Sequence, residues 1–140
     1  DGAAWMARLL VRANLRGHDS HGVIRIPQYI ASWKRGDADP AAEPAIVQEG
    51  PATALLDGRR GFGQIVARRG MEVAMAKAAA IGLAAVGVFN CNHIGRLADY
   101  AEMALDRNML ALITVNAGGA GQLAQSSSRF LRIRQVRTAP

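Results

Sequence analysis

The residues best equipped for chemistry lie within positions 16–25, where two imidazoles, a hydroxyl, a carboxylate and two guanidinium groups occur between two stretches of helical apolar spacing. A histidine such as His21 can exchange a proton near neutral pH. The guanidinium of Arg25 can hold a carboxylate through two parallel hydrogen bonds, although an ordinary surface ion pair is the alternative. Tyr29 lies one helical turn further on the same face, where it either closes the same pocket or packs.

His93 is the second candidate for proton transfer, and its position follows from the pattern around it. Continuous apolar runs at 83–89 and 110–115 predict two buried strands, and the residues between them predict a helix over 95–107. A βαβ unit of this kind has parallel strands. His93 would then lie at the carboxyl end of a parallel strand, where open α/β sheets bind ligands, and near a helix N-terminus that favours a neutral imidazole.

The remaining elements position these residues. Gly17 ends the first predicted helix, and Pro27 fits only the first turn of the second, whose N-terminus would present Ser20 and His21 to an anion. Gly50 and Pro51 mark a hairpin turn, and Gly82 ends a long amphipathic helix. The predicted helices cover 3–15, 23–35, 64–81 and 95–107, and the predicted strands cover 45–49, 53–56, 83–89 and 110–115.

Composition indicates one domain with a real core, because the chain has 140 residues of which 50% are hydrophobic. The formal charge of +6 comes mostly from residues 122–140, which hold four arginines and no acid. Without them the balance falls from 17 basic and 11 acidic groups to 13 and 11. A basic face with interleaved aromatics is not visible elsewhere, so nucleic acid is not an expected partner.

Two other classes of function compete with proton transfer. His18 and His21 have the His-x-x-His spacing of a metal site, and His93 with Asp19 could complete the ligands of a metal-dependent hydrolase. No His-Glu-x-x-His arrangement supports that reading. The third class is a non-catalytic interaction domain or remnant. The glycines of residues 61–63 are better explained by a turn than by a dinucleotide fingerprint.

A long motif, LRGHDSHGVIRIPQYI at residues 15–30, resembles the malate/L-lactate dehydrogenase family, whose members are NAD(P)-dependent oxidoreductases of 2-hydroxyacids and ketoacids without a Rossmann fold. The resemblance continues through residues 57–58, 61–64 and 92–95 and reaches about Gly121. It implies an α/β, sulfolactate-dehydrogenase-like fold, present in part as N-terminal helices followed by βαβ units of a mixed sheet. It also implies NAD or NADP as the cofactor and a small 2-ketoacid or 2-hydroxyacid as the substrate.

The resemblance also implies roles for individual residues. His21 matches the family's proton donor for ketoacid reduction, with Ser20 as its hydrogen-bond relay, and His93 matches a second active-site histidine. Arg25 and Tyr29 then contact the substrate. The expected cofactor contacts are Ile94, Gly95, Arg96 and Leu97, and no metal is expected.

Three segments are expected along the chain. Residues 1–36 form a helical segment with the catalytic motif, residues 37–121 form an α/β part of the catalytic domain, and residues 122–140 form a basic tail unlike the family. We therefore expect an incomplete, inactive version of the enzyme, with a frameshift as the simplest origin of the tail. The single cysteine, Cys91, suits the cytoplasm. The family also implies a homodimer. A membrane-spanning segment is not expected, because no apolar run approaches the ~20 residues needed to cross a bilayer.

Overall fold

The computed structural model describes residues 2–116 together with the backbone of residues 129–134. The predicted glycine loop at 117–121 and most of the predicted tail lie outside the described residues. Short 3₁₀ helices cover Asp19–His21 and Val23–Arg25. The α-helices are α1 (Gly2–Leu15), α2 (Ile26–Lys34), α3 (Gly63–Ile81) and α4 (Ala98–Leu105), and the strands are β1 (Ala45–Glu49), β2 (Thr53–Asp57), β3 (Leu83–Phe89), β4 (Leu110–Ile113) and β5 (Arg129–Arg134).

The strands form one mixed sheet in the order β1-β2-β3-β5-β4. The predicted hairpin is present, since β1 and β2 pair antiparallel, with a register shift between Ile46 and Gln48. Strands β2 and β3 are parallel neighbours joined through α3, and β5 is antiparallel to both β3 and β4. The prediction of a mixed α/β sheet with N-terminal helices is therefore confirmed.

The prediction for the last βαβ unit was only partly correct. Strands β3 and β4 run in the same direction, but they are not adjacent, because β5 lies between them. Strand β4 is not buried on both faces, because Leu110 and Leu112 are 52% and 60% exposed. An apolar run does not distinguish a central strand from an edge strand that has one face against a helix, and β4 lies at the edge of the described sheet.

Helix α3 builds the core by packing one face against the sheet. Met71 and Met75 are fully buried, and Gly70 lets the helix approach Val88 of β3 closely. Truncating a buried side chain such as Met71 to alanine costs about 2–5 kcal/mol. Leu9 of α1 belongs to the same hydrophobic cluster. The N-terminal helix therefore shares one core with the sheet, while the division at residue 36 stays a prediction.

Two predicted helix starts were too early, and both shifts affect the candidate site. Helix α2 begins at Ile26 rather than directly after Gly22, because residues 19–25 wind as two 3₁₀ turns, although Pro27 does occupy the first turn. Helix α4 begins at Ala98, because Gly95 adopts a left-handed φ of 77° that no α-helix accommodates. Across residues 2–116, none of the helices has the length and apolar character needed to cross a bilayer.

Candidate active site

The structure brings the two histidines together. The ring centroids of His21 and His93 lie 5.1 Å apart, with a 40° angle between the ring planes. His21 ends a 3₁₀ turn between α1 and α2, whereas His93 lies in the irregular segment at residues 91–97, after the carboxyl end of β3. Because α4 starts five residues after His93, the imidazole does not lie at a helix N-terminus as predicted. Its place in the candidate site follows instead from its position next to His21.

Asn14, at the end of α1, shapes the turn that carries His21. Its side-chain amide donates to Asp19 Oδ1 at 2.5 Å, and its side-chain oxygen accepts the backbone N–H of Val23 at 2.9 Å. Gly22 lies directly beneath this side chain, where a Cβ would collide with the amide of Asn14. The hydrogen bonds of Asn14 thus fix the turn to the end of α1. Sequence reasoning missed it, although asparagine commonly makes such side-chain bonds to the backbone of turns.

His21 is held by the hydroxyl of its neighbour. Ser20 Oγ lies 2.9 Å from His21 Nδ1, so Nε2 is the ring nitrogen left for a substrate. Partial burial lowers the pKa of His21 below its usual 6.5, and the positive charges of His18 and Arg25 lower this pKa further. His21 is therefore mostly neutral at pH 7, the form that accepts a proton from a hydroxyl.

His93 is held at the same ring position by a different hydroxyl. Tyr29 Oη lies 3.0 Å from His93 Nδ1, and Gln64 Nε2 donates to Tyr29 Oη at 2.6 Å. Burial raises the pKa of Tyr29, and the Gln64 hydrogen bond and the charge of Arg25 oppose this only in part. Tyr29 thus keeps its proton at neutral pH. Sequence reasoning left open whether Tyr29 packs or joins the site; it is buried and bonded to a site histidine.

The backbone around His93 is fixed by close approach to α3. Gly63 starts that helix, and a Cβ there would collide with the carbonyl oxygens of Asn92 and His93. Asn92 donates its side-chain amide to the carbonyl of Arg60 at 2.9 Å. On the other side, the hydroxyl of Tyr100 donates to the carbonyl oxygen of Ile94. Close packing therefore explains why residue 63 is a glycine, and a phosphate-binding role is not needed to account for it.

Arg25 is anchored close to His21 and Tyr29 and retains part of its hydrogen-bonding capacity. Its Nε donates to the carbonyl of Ser20 at 2.5 Å, and its Nη1 donates to Gln28 Oε1 at 2.7 Å. The charge of Arg25 lowers the pKa of both His21 and Tyr29, so it acts on the same small region. Guanidinium N–H groups that these two bonds do not use suit a carboxylate.

The four expected cofactor contacts do not by themselves fit a dinucleotide. Ile94 is 9% exposed and packs in the core, and Leu97 packs against the same cluster. Arg96 makes two hydrogen bonds to the buried carboxylate of Asp99, at 2.7 and 3.2 Å, and this pairing raises the pKa of the guanidinium. Gly95 has no side chain and adopts a left-handed backbone conformation. Their assignment as cofactor contacts stays a prediction, and no reaction step is derived through them.

The metal-site alternative finds no support in the geometry. The rings of His18 and His21 meet edge to face at 4.4 Å. The Asp19 carboxylate accepts a hydrogen bond from Asn14, and the Nδ1 atoms of His21 and His93 face hydroxyls. Within residues 2–116, no three His, Cys, Asp or Glu side chains converge as metal ligands. The histidine cluster is thus arranged for hydrogen bonding.

Comparison with known proteins gives consistent relatives. The chain is 41% identical over 110 residues to the L-sulfolactate dehydrogenase of Methanocaldococcus jannaschii, which covers 79% of this chain and 32% of that protein. It is 37% identical over 130 residues to hydroxycarboxylate dehydrogenase B of Escherichia coli K12, which covers 93% of this chain and 36% of the relative. The chain thus spans about a third of the length of these relatives.

Solved structures agree with this relationship. Sulfolactate dehydrogenase from M. jannaschii superposes with a TM-score of 0.73 at 42% identity, over 74% of this chain and 30% of that one. Malate dehydrogenase from Pyrococcus horikoshii superposes with a TM-score of 0.74 at 31% identity, over 96% of this chain and 40% of that one. A family model described as malate/L-lactate dehydrogenase matches residues 1–131, past Gly121. The chain belongs to the malate/L-lactate dehydrogenase family.

Proposed function

We propose that this chain carries the proton-transfer side of an oxidoreductase that moves a hydride between NAD(P)H and a small 2-ketoacid, acting on the CH–OH group of the matching 2-hydroxyacid. One observation supports this most directly. His21 and His93 face each other at 5.1 Å, and each is held at Nδ1 by a hydroxyl. We infer that the Nε2 edges of both imidazoles meet one substrate oxygen. The relatives are named as sulfolactate, malate and hydroxycarboxylate dehydrogenases.

The two histidines contact the reacting oxygen, and His21 accepts or returns its proton. When a hydroxyacid is oxidised, its hydroxyl proton must leave, and His21 is suited to accept it because its lowered pKa keeps it neutral. Ser20 fixes the ring through Nδ1, so the proton arrives at Nε2. In the reverse direction the same nitrogen returns the proton to the ketone oxygen. A bound nicotinamide would supply or accept the hydride.

Arg25 orients the substrate through its carboxylate. A 2-ketoacid and its 2-hydroxyacid both carry a carboxylate next to the reacting carbon, so a guanidinium near the histidines fixes the distance between that carbon and the imidazoles. The hydrogen bond from Arg25 Nε to the Ser20 carbonyl holds the guanidinium beside the 3₁₀ turn. Tyr29 lines the same region from α2. In the full enzyme we propose a homodimer, following the family.

The test of this proposal uses a chimera. Residues 2–116 replace the matching part of the M. jannaschii L-sulfolactate dehydrogenase, and oxidation of NADH or NADPH is followed with a series of small 2-ketoacids. We expect metal-independent turnover by the chimera and none by the 140-residue chain alone, which spans about a third of that relative. His21→Ala in the chimera should lower kcat by about 10²–10⁴-fold, as is usual when a general acid–base is lost.

His18→Ala is the matched control, because His18 touches the same cluster without a proposed role in proton transfer. Its kcat should stay within a few-fold of the parent chimera. Equal losses for His18→Ala and His21→Ala, together with inhibition by a chelator, would instead favour the metal-dependent hydrolase. A folded chimera without turnover, whose relative remains active under the same conditions, would favour the non-catalytic remnant.

A further inference from the structure

Gln64 is a buried polar side chain that the proton-transfer scheme does not use. It is 1% exposed, on the first turn of α3. Its Nε2 donates to Tyr29 Oη at 2.6 Å, whereas its Oε1 has no hydrogen-bond partner among the described residues. Its backbone carbonyl accepts the indole N–H of Trp5 at 3.1 Å, and Gly95 packs against its side chain. A buried acceptor without a partner is uncommon. The orientation of this side chain is therefore not explained by the amide's own need for hydrogen bonds.

The direction of the hydrogen bonds gives the explanation. An amide nitrogen can only donate, so Tyr29 Oη accepts from Gln64 and must direct its own single proton elsewhere. The neighbouring acceptor is His93 Nδ1, 3.0 Å away. A neutral imidazole that accepts at Nδ1 carries its proton on Nε2. Without the amide donor, the Tyr29 hydroxyl could equally accept from a protonated Nδ1, and the opposite tautomer would be possible.

We propose that Gln64 is a positioning residue that sets the direction of the chain Gln64→Tyr29→His93 and so holds His93 in its Nε2–H tautomer. This inference rests on the proposed function for its consequence, since Nε2 is the atom that would meet the substrate oxygen. His93 then donates a hydrogen bond to that oxygen, whereas His21 accepts the proton. Two adjacent histidines thereby receive different tasks from different partners.

The test reads the tautomer directly and needs no substrate. In the 140-residue chain, the ¹⁵N chemical shifts of the His93 ring are measured by NMR above the range where the ring titrates. The native chain should show a protonated Nε2 and an unprotonated Nδ1. Gln64→Met keeps the shape and removes the donor, so the Nδ1–H form should rise from a minor species to about half, because the Tyr29 hydroxyl can then donate or accept.

Two further variants separate positioning from a merely structural effect. In a Tyr29→Phe background the Gln64→Met change should leave the His93 shifts where Tyr29→Phe alone puts them, because Gln64 acts only through the hydroxyl. Gln48→Met, an exposed glutamine on β1, should change nothing. If Gln64→Met does not fold, the tautomer of the native His93 still tests the proposal, because protonation on Nδ1 would overturn it.

A native His93 protonated on Nδ1 would overturn the proposal, as would an unchanged tautomer in Gln64→Met or a Gln64→Met effect of the same size with and without the Tyr29 hydroxyl. None of these results depends on turnover. A failed chimera assay would therefore leave the tautomer result standing, and a failed tautomer result would leave the dehydrogenase assay standing.

Discussion

The two sides of the candidate site are built in different ways. The His21 side is local: Ser20 is its sequence neighbour, and Asn14 bonds to residues five and nine positions away. The His93 side depends on distant parts of the chain, because its bond to Tyr29 spans 64 positions and the bond from Gln64 to Tyr29 spans 35. The first geometry therefore comes mostly from one turn, whereas the second requires the complete core. Damage to the fold should affect the two sides unequally.

The largest effect is expected when the distant side loses its buried charge pair. The Asp99 side chain is 0% exposed and binds Arg96, whose side chain is 11% exposed and lies in the His93 segment. Asp99→Ala removes both hydrogen bonds of that guanidinium and leaves it only the ion pair with Glu102 at 3.9 Å, so the free energy of unfolding should fall by about 3 kcal/mol. Denaturant unfolding measures this directly.

The matched change on the local side is Asp19→Ala. Asp19 is exposed and accepts one hydrogen bond from Asn14, so its loss should cost about 1 kcal/mol or less. Equal losses of stability for Asp19→Ala and Asp99→Ala would remove the distinction between a local and a fold-dependent side.

An intermediate effect is expected from Arg25→Lys. Lysine keeps the charge but cannot hold a carboxylate with a planar fork, and it also loses the geometry of the bonds to the Ser20 carbonyl and Gln28. In the chimera, the KM for the ketoacid should rise about tenfold or more, which corresponds to the loss of one charge-assisted hydrogen bond. The KM for the nicotinamide should change little. Equal changes in both constants would place Arg25 outside the substrate pocket.

The smallest effect is expected in the titration of His21. Its pKa lies below 6.5, first through burial, then through His18, then through Arg25. His18→Gln should therefore raise this pKa more than Arg25→Gln does, and both variants should keep it below 6.5. Because the unfolded chain binds more protons in this window, stability should rise as the pH increases from the lowered pKa to 6.5. NMR titration of the His21 ring measures the pKa in the native chain and in both variants. A His21 pKa above 6.5 in the native chain would contradict this prediction.

The same contrast explains what the sequence could predict. The positions of His21, Ser20 and Arg25 in one turn followed from a single motif, and α1, α3 and β3 followed from apolar spacing and terminal glycines. The place of β5 between β3 and β4 is a pairing across the chain that no local pattern specifies. The start of α4 was missed because Gly95 was taken as a helical residue. Gln64 was predicted as the first residue of a helix and as part of a motif shared with the family, and its hydrogen bond to Tyr29 could not be predicted because the two residues are 35 positions apart.

The central claim is that His21 and His93, which are held by such different contacts, act on one substrate oxygen. A double-mutant cycle in the chimera tests it most directly, with kcat for ketoacid reduction measured for His21→Ala, His93→Ala and the double variant. Residues that act as a unit are strongly non-additive. We expect the double variant to be only a few-fold slower than the slower single variant. A double variant whose loss equals the product of the two single losses would contradict the claim.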